Sequence, residues 1–326
     1  MGKKRRLGGG KPAAAAPVLW RPLPSLIFKV PATVGASGMG RWGPGALNCE
    51  RHEAAVAAAH ADARAAARGV RSKLGAPLRQ DAIAFIMFVH GSEGAFEPQA
   101  VHLAAALFDE VVEPGDDTDV VAVACSSLAC KFHLPYEVSH SMEHMAAFVT
   151  GVDEEFMRRA EWQAMGRAGC DVHIPTVADV LVDCVSLYSA RVGAVGEGVR
   201  FGAHFLSDCC LFKDARVRSF PPSRLAVACL VEAAAALGAP PPNATETLAL
   251  DEAEVAGARE FVRSCAGAVC AEVVRSGGDP DAPARTVFRQ YTVLRFRCKQ
   301  ALPRGERIVA RDAVQRVYDA FVARAA

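Results

Sequence analysis

Two groups of residues in this sequence have types and spacing that chemistry can use. His140, Glu143 and His144, in the stretch HSMEH, follow the H-x-x-E-H spacing of a zinc-ligating helix. The two imidazoles lie one helical turn apart on one face, with a carboxylate beside them as a general base. A zinc ion held this way needs a third protein ligand, and the downstream stretch from Arg200 to Val231 contains no glutamate to provide it. The second group is a single cation, Lys131, placed where the apolar run of CSSLACKFHLPYEV (residues 125–138) stops. A charged side chain at the edge of a buried face either snorkels to water or is held ready for a partner. GMGRWG, residues 38–43, spells the dinucleotide-binding fingerprint, but Pro31 and Pro44 crowd it and no strand-helix-strand unit follows, so it reads as loop. Neither a nucleophilic triad nor a phosphate-binding loop is spelled anywhere in the chain. No catalytic, metal-binding or cofactor-binding residue is therefore assigned, and the chain is not expected to be an enzyme.

Composition narrows the setting of these residues. The chain has 326 residues, 51% of them hydrophobic, and a net charge of +1. That length suits one or two globular domains with ample core, and that charge implies no general affinity for nucleic acid. Eleven cysteines, an odd number scattered through apolar stretches, read as small hydrophobes in a reducing compartment, without a disulfide framework. The apolar runs are broken by charge, as Glu232 breaks AVACLVEAAAALGA, and none is long enough to span a bilayer, so no membrane association is expected. Residues 1–45 differ: Gly, Pro and Ala dominate, KKRR occupies Lys3 to Arg6, and the first acidic residue is Glu50. They read as a disordered basic tail. KKRR fits a nuclear import signal or a run that merely keeps the tail solvated, and an acid-free basic tail also fits a transit peptide. A myristoylation signal would need Ser or Thr where Arg6 stands.

From Ala46 onward the pattern is helical. An Ala- and Arg-rich helix ends near Gly75 and is followed by five segments of helix length: Leu78 to Gly91, Pro98 to Val112, Asp119 to Phe132, Tyr136 to Val149, and Asp153 to Ala168. GSEG, EPGDD, HLP and TGVD separate them. After HIPT the count starts again, with Thr176 to Val192, Gly198 to Phe212, Pro222 to Leu237, and Asp251 to Ser276, the last long enough for one bent or two shorter helices. Pro221 and Pro222 suit a helix start, where a missing N–H costs nothing. Two helical halves of similar length suggest a duplicated all-α unit.

The order of these segments resembles a cyclin with two cyclin boxes, over nearly everything from Glu50 to Gln300. RQDAIAFIMFVHGSEGAFEP, from Arg79, resembles the opening helix of a first box in its D-type form. LACKF resembles the end of the third helix, and RRAEWQAMGRAGCDVHIPT the fifth helix and its exit. FLSDCCLFKDARVRSFPPSRLAVACL resembles the second and third helices of the carboxy-terminal box, and VFRQYTVLRF its closing segment. The resemblance implies two tandem five-helix cyclin folds: residues 46–172 with the preceding helix, and residues 173–300. The basic tail precedes them and a C-terminal helical tail, residues 301–326, follows. It also implies a regulatory subunit that binds and activates a cyclin-dependent serine/threonine kinase, located in the nucleus and also in the cytoplasm, with no cofactor of its own.

The same resemblance assigns residues. Lys131 and Glu161 match the lysine and glutamate that meet main-chain groups of the kinase. An ammonium donates and a carboxylate accepts, so the pair can serve both kinds of backbone group. The bland reading is a solvated surface ion pair, worth about 0–1 kcal/mol. Phe132, Leu134, Met165, Cys170 and Val172 fall at positions that press on the kinase helix, although helix spacing alone would make the apolar ones core. Where the family usually continues KFEE, His133 and Leu134 stand here, which alters the partner surface. Leu78, Arg79, Ala82 and Phe85 match the groove that takes docking peptides of substrates or inhibitors. Phe85 replaces the tryptophan and Ala84 the neighbouring acid, implying a shallower, less polar groove. LNCER at Leu47 has its glutamate one place early for a retinoblastoma-type docking motif. A different class of tandem cyclin folds binds DNA or peptides without a kinase, as transcription initiation factors and pocket proteins do. The sequence has no paired C-x-x-C for a zinc ribbon, and its one dense late basic cluster is RFRCK at Arg295 to Lys299.

Overall fold

Side chains that bond the first free N–H groups of a helix set several of the element starts. Thr176 and Asp179 exchange side-chain and backbone bonds in a capping box that opens α7 (Val177–Val192). Asp251 and Glu254 do the same for α10 (Glu252–Arg275). Asp153 accepts from the Phe156 N–H at 2.7 Å to start α6 (Glu154–Arg167). α9 (Pro222–Leu237) begins on Pro221 and Pro222 without a side-chain cap of its own, and Gly238 ends it in the left-handed conformation. The remaining helices are α1 (Pro44–Arg68), α2 (Ala76–Glu93), α3 (Pro98–Val111), α4 (Thr118–His133), α5 (Met142–Ala146), α8 (Val195–Lys213), α11 (Pro283–Thr292) and α12 (Arg304–Ala325), with a 3-10 turn at Ala215–Ser219.

This structure is a computed structural model that describes residues 44–68, 72–93, 98–133, 141–193, 195–243, 247–277, 279, 282–292 and 304–325. Among these residues the secondary structure is all-helical, with no strand, and no helix is long and apolar enough to cross a membrane. The expected basic tail with KKRR and GMGRWG, Leu134, His140 and RFRCK lie outside the described residues.

α4 packs against α2, α3, α5 and α6, while α8 packs against α7, α9, α10, α11 and α12. α3 is buried along nearly its whole length. α1 lies on α7 and α9, and α12 on α8, α9 and α10. Gly202 of α8 admits that last contact: a Cβ there would meet Val317 at 3.0 Å and Ala233 at 3.2 Å. One expectation changes. Of the expected Tyr136 to Val149, residues 136–140 lie outside the described residues; α5 is opened by Ser141, which accepts from the His144 N–H, and it ends at Ala146 rather than Val149 as the chain tightens into i→i+3 bonds, Phe148 to Met145 and Val149 to Ala146. α10 is one continuous helix, one of the two forms left open for Asp251 to Ser276.

Buried polar bonds tie α2 and α3 to α8 and α11. Arg79 forks onto Asp109, with Nε and Nη2 each 2.8 Å from a carboxylate oxygen, and its Nη1 donates to the Leu211 carbonyl at 2.8 Å. Asp208 accepts from Tyr291 Oη at 2.6 Å and meets His102 Nε2 at 3.0 Å. Ser207 is 3.4 Å from that same nitrogen and donates to the His204 carbonyl. A Ser-His-Asp relay needs the serine and the aspartate on different ring nitrogens. Sharing Nε2 makes this cluster a packing network.

Candidate functional site

The last turns of α4 and the middle of α6 bring together Ser127, Lys131 and Glu161. The Glu161 carboxylate accepts from Ser127 Oγ at 2.7 Å and from Lys131 Nζ at 2.5 Å and 2.6 Å, one bond to each oxygen. Its side chain is only 10% exposed, whereas that of Lys131 is 43% exposed. The pair is thus a buried acceptor under a half-open donor, which departs from the bland reading of a solvated surface pair. α6 explains the burial: it lies on the surface, and its buried residues Met157, Glu161 and Ala164 form an inward stripe. Lys131 points its remaining donor capacity at the thioether of Met142, with Nζ and Sδ 3.6 Å apart. Sulfur is a weak acceptor, so a carbonyl oxygen brought by a partner can replace it with gain.

The other residues expected at the partner surface are mostly apolar. Phe132 is 45% exposed; its ring stacks on His173 at 5.5 Å between centroids and meets the edge of His133 at 5.1 Å. Burial holds both imidazoles below the usual histidine range. Met165 and Val172 are half-buried against the core. Cys170 is exposed with φ of 60°, and its N–H bonds the Met165 carbonyl at 2.9 Å as α6 ends. Trp162, next to Glu161, is 56% exposed, the largest apolar side chain open to solvent among the described residues. Sequence reading passed over it. Its signal was available, since Trp162 falls outside the inward stripe of α6.

The four residues of the expected docking groove do not share one surface. Arg79 and Ala82 are each 2% exposed, Arg79 being committed to Asp109 and Leu211. Leu78 stands out in solvent and Phe85 is half-buried. Phe88, one turn on, stacks on Phe85 at 6.4 Å and receives the Phe148 ring edge-on at 6.2 Å. The surface here is therefore an aromatic strip of Phe85, Phe88 and Phe148 rather than the expected four.

Of the HSMEH stretch, Ser141 caps α5 and Met142 lies buried beneath Lys131. Among the described residues no group of three or more His, Cys, Asp or Glu is placed to hold a metal ion. Among the described residues nine cysteines stand outside any disulfide, and all but Cys170 are buried. Burial pushes the thiols of Cys125, Cys184 and Cys209 well above their usual range, which leaves them unreactive. No protein-family model matches this chain, and no curated protein matches its sequence.

Proposed function

We propose that this chain is a non-catalytic regulatory subunit of a cyclin-dependent serine/threonine protein kinase, built from two tandem cyclin boxes over residues 46–172 and 173–300. The observation that carries the reading is the half-open Lys131–Glu161 pair at the meeting of α4 and α6, with the exposed Phe132 next to Lys131 and the exposed Trp162 next to Glu161 in the chain. The residues that resemble the cyclin pattern lie on separate helices, and the fold brings them into contact. Among the described residues α1 to α6 precede HIPT and α7 to α12 follow it; with α1 and α12 as flanking helices the two halves are of similar make-up, which supports the duplicated arrangement.

Phosphoryl transfer would belong to the partner, whose strand lysine must pair with a glutamate of its regulatory helix before ATP is correctly held. Binding of this chain would favour the inward position of that helix, a population shift that requires tighter binding to the active state. Lys131 would donate to a main-chain carbonyl of the kinase and Glu161 would hold the ammonium in place. Trp162 and Phe132 would fill apolar hollows beside them. KKRR would direct nuclear entry, so deleting Gly2 to Lys11 should redistribute the protein, and unchanged nuclear accumulation would remove that role.

Affinity purification of the full chain, with identification of any kinase that co-purifies and assay of its activity with and without the chain, tests the proposal. A cyclin-dependent kinase bound and activated is the expected result. Salt-sensitive binding to DNA with no kinase recovered would favour the transcription-factor-like alternative.

A further inference from the structure

The turn that leaves α6 carries Cys170, Val172 and His173, and it is gripped from the side by α1. Arg64 Nη2 donates to the His173 carbonyl at 3.0 Å. Arg68 Nη2 donates to the Asp171 carbonyl at 2.7 Å and lies 3.0 Å from the Asp171 carboxylate. The other amine of Arg68 is 3.5 Å from Glu110 on α3. The two arginines are four residues apart, hence on one face of α1, and their planar forks can each hold more than one acceptor.

The turn needs such a grip. Cys170 adopts φ of 60°, a conformation that a side chain with a Cβ disfavours and that is kept only where neighbours hold it. The turn's own bonds are short-range: Cys170 N–H to Met165, Gly169 N–H to Gly166, Asp171 N–H to Ala168, His173 N–H to the Asp171 side chain and Ile174 N–H to Val172. From His173 the hold reaches Phe132 through the ring stack at 5.5 Å. α1 is itself anchored at a distance, since Asp62 accepts from the Ser223 N–H at 2.9 Å and so caps α9, which lacks a cap of its own.

We infer that Arg64 and Arg68 are positioning residues for the partner surface: α1 holds the turn over residues 170–173, and with it Cys170, Val172 and the Phe132–His173 stack, in the geometry that a kinase meets. This rests on the kinase-binding reading and deepens it. Neither arginine has to touch the partner.

The test compares the full-length chain with Arg64→Ala, Arg68→Lys and the double Arg64→Ala/Arg68→Ala protein. Arg64 is 46% exposed and Arg68→Lys keeps the charge while losing the fork, so the single variants fold even where the double does not. Backbone amide exchange is measured in the free proteins. Affinity is measured for whichever member of a panel of purified cyclin-dependent kinases the wild-type chain binds tightest. The expected result is exchange about tenfold or more faster at Cys170, His173 and Ile174, unchanged exchange through the middle of α4, and about tenfold weaker kinase binding. Unchanged exchange at the turn in the folded variants overturns the inference, as does acceleration spread evenly over α4 and α6. If the wild-type chain binds no kinase of the panel, the kinase reading falls, while amide exchange still decides the grip.

Discussion

Two cation–carboxylate pairs in this molecule look alike in sequence and differ in space. Arg79 and Asp109 are thirty residues apart, as are Lys131 and Glu161. In the first pair both side chains are sealed, at 3% and 1% exposed, and the guanidinium spends its third contact on the Leu211 carbonyl. In the second the carboxylate is sealed while the ammonium stays half open and leans on a thioether. A closed pair with every strong acceptor in place is complete within the chain. A half-open pair with a weak acceptor has capacity left for another molecule. Burial and acceptor quality, rather than the ion pair itself, separate a structural site from a candidate binding site.

The largest effect should come from breaking the closed pair. Arg79→Ala strands the Asp109 carboxylate and the Leu211 carbonyl in the interior, and breaking a buried pair this way costs about 3–5 kcal/mol. Chemical denaturation should register that loss as a lower midpoint, with kinase affinity of the remaining folded protein unaltered. A midpoint equal to that of wild type would erase the distinction between the pairs.

Trp162→Ala should act in the opposite sense. An aromatic side chain that is 56% exposed adds little to folding, within about 0.5 kcal/mol, but removal of a central aromatic anchor weakens binding by about 2 kcal/mol or more. Calorimetric titration against the kinase, beside a thermal melt, sharpens the boundary of the open site. Full affinity in this variant would place Trp162 outside it.

The smallest effect concerns a third constellation, Glu232, which is buried on α9 beneath Arg259 and Arg263 of α10. Burial alone would raise its pKa, yet the bonds from Arg263 and Arg259 outweigh burial and hold it below its ordinary value of 4.5. A depressed carboxylate stabilises the fold above its unfolded pKa, and that contribution is lost as pH falls through the folded value. Arg263→Ala should therefore move the acid-unfolding midpoint, followed by circular dichroism, to higher pH, with a cost near neutrality of about 1–2 kcal/mol. An unmoved midpoint would make Glu232 a bystander.

Local chemistry made much of the fold legible. The proline pair at α9, the Thr176–Asp179 and Asp251–Glu254 boxes and the breakers between segments mark helix ends within reach of their own residues. What could not be read was which polar groups meet across thirty positions. Arg79 sits on a helix face that pattern alone leaves ambiguous, and only Asp109 and the Leu211 carbonyl explain its burial. Glu161 likewise goes inward because Ser127 and Lys131 both reach it. α5 was overextended for a related reason: apolar residues continue past Ala146, but they pack from a turn rather than a helix.

The most direct test measures kinase affinity and melting temperature side by side for Lys131→Ala and Glu161→Ala. Exposure predicts unequal stability: Glu161→Ala leaves an ammonium that water can reach, whereas Lys131→Ala leaves a carboxylate only 10% exposed and should cost about 1–3 kcal/mol more. Both should lose kinase affinity by about 2–5 kcal/mol, roughly thirty- to several-thousand-fold, with the double variant less than additive. Undiminished kinase binding by both single variants would contradict the assignment of this pair to a partner.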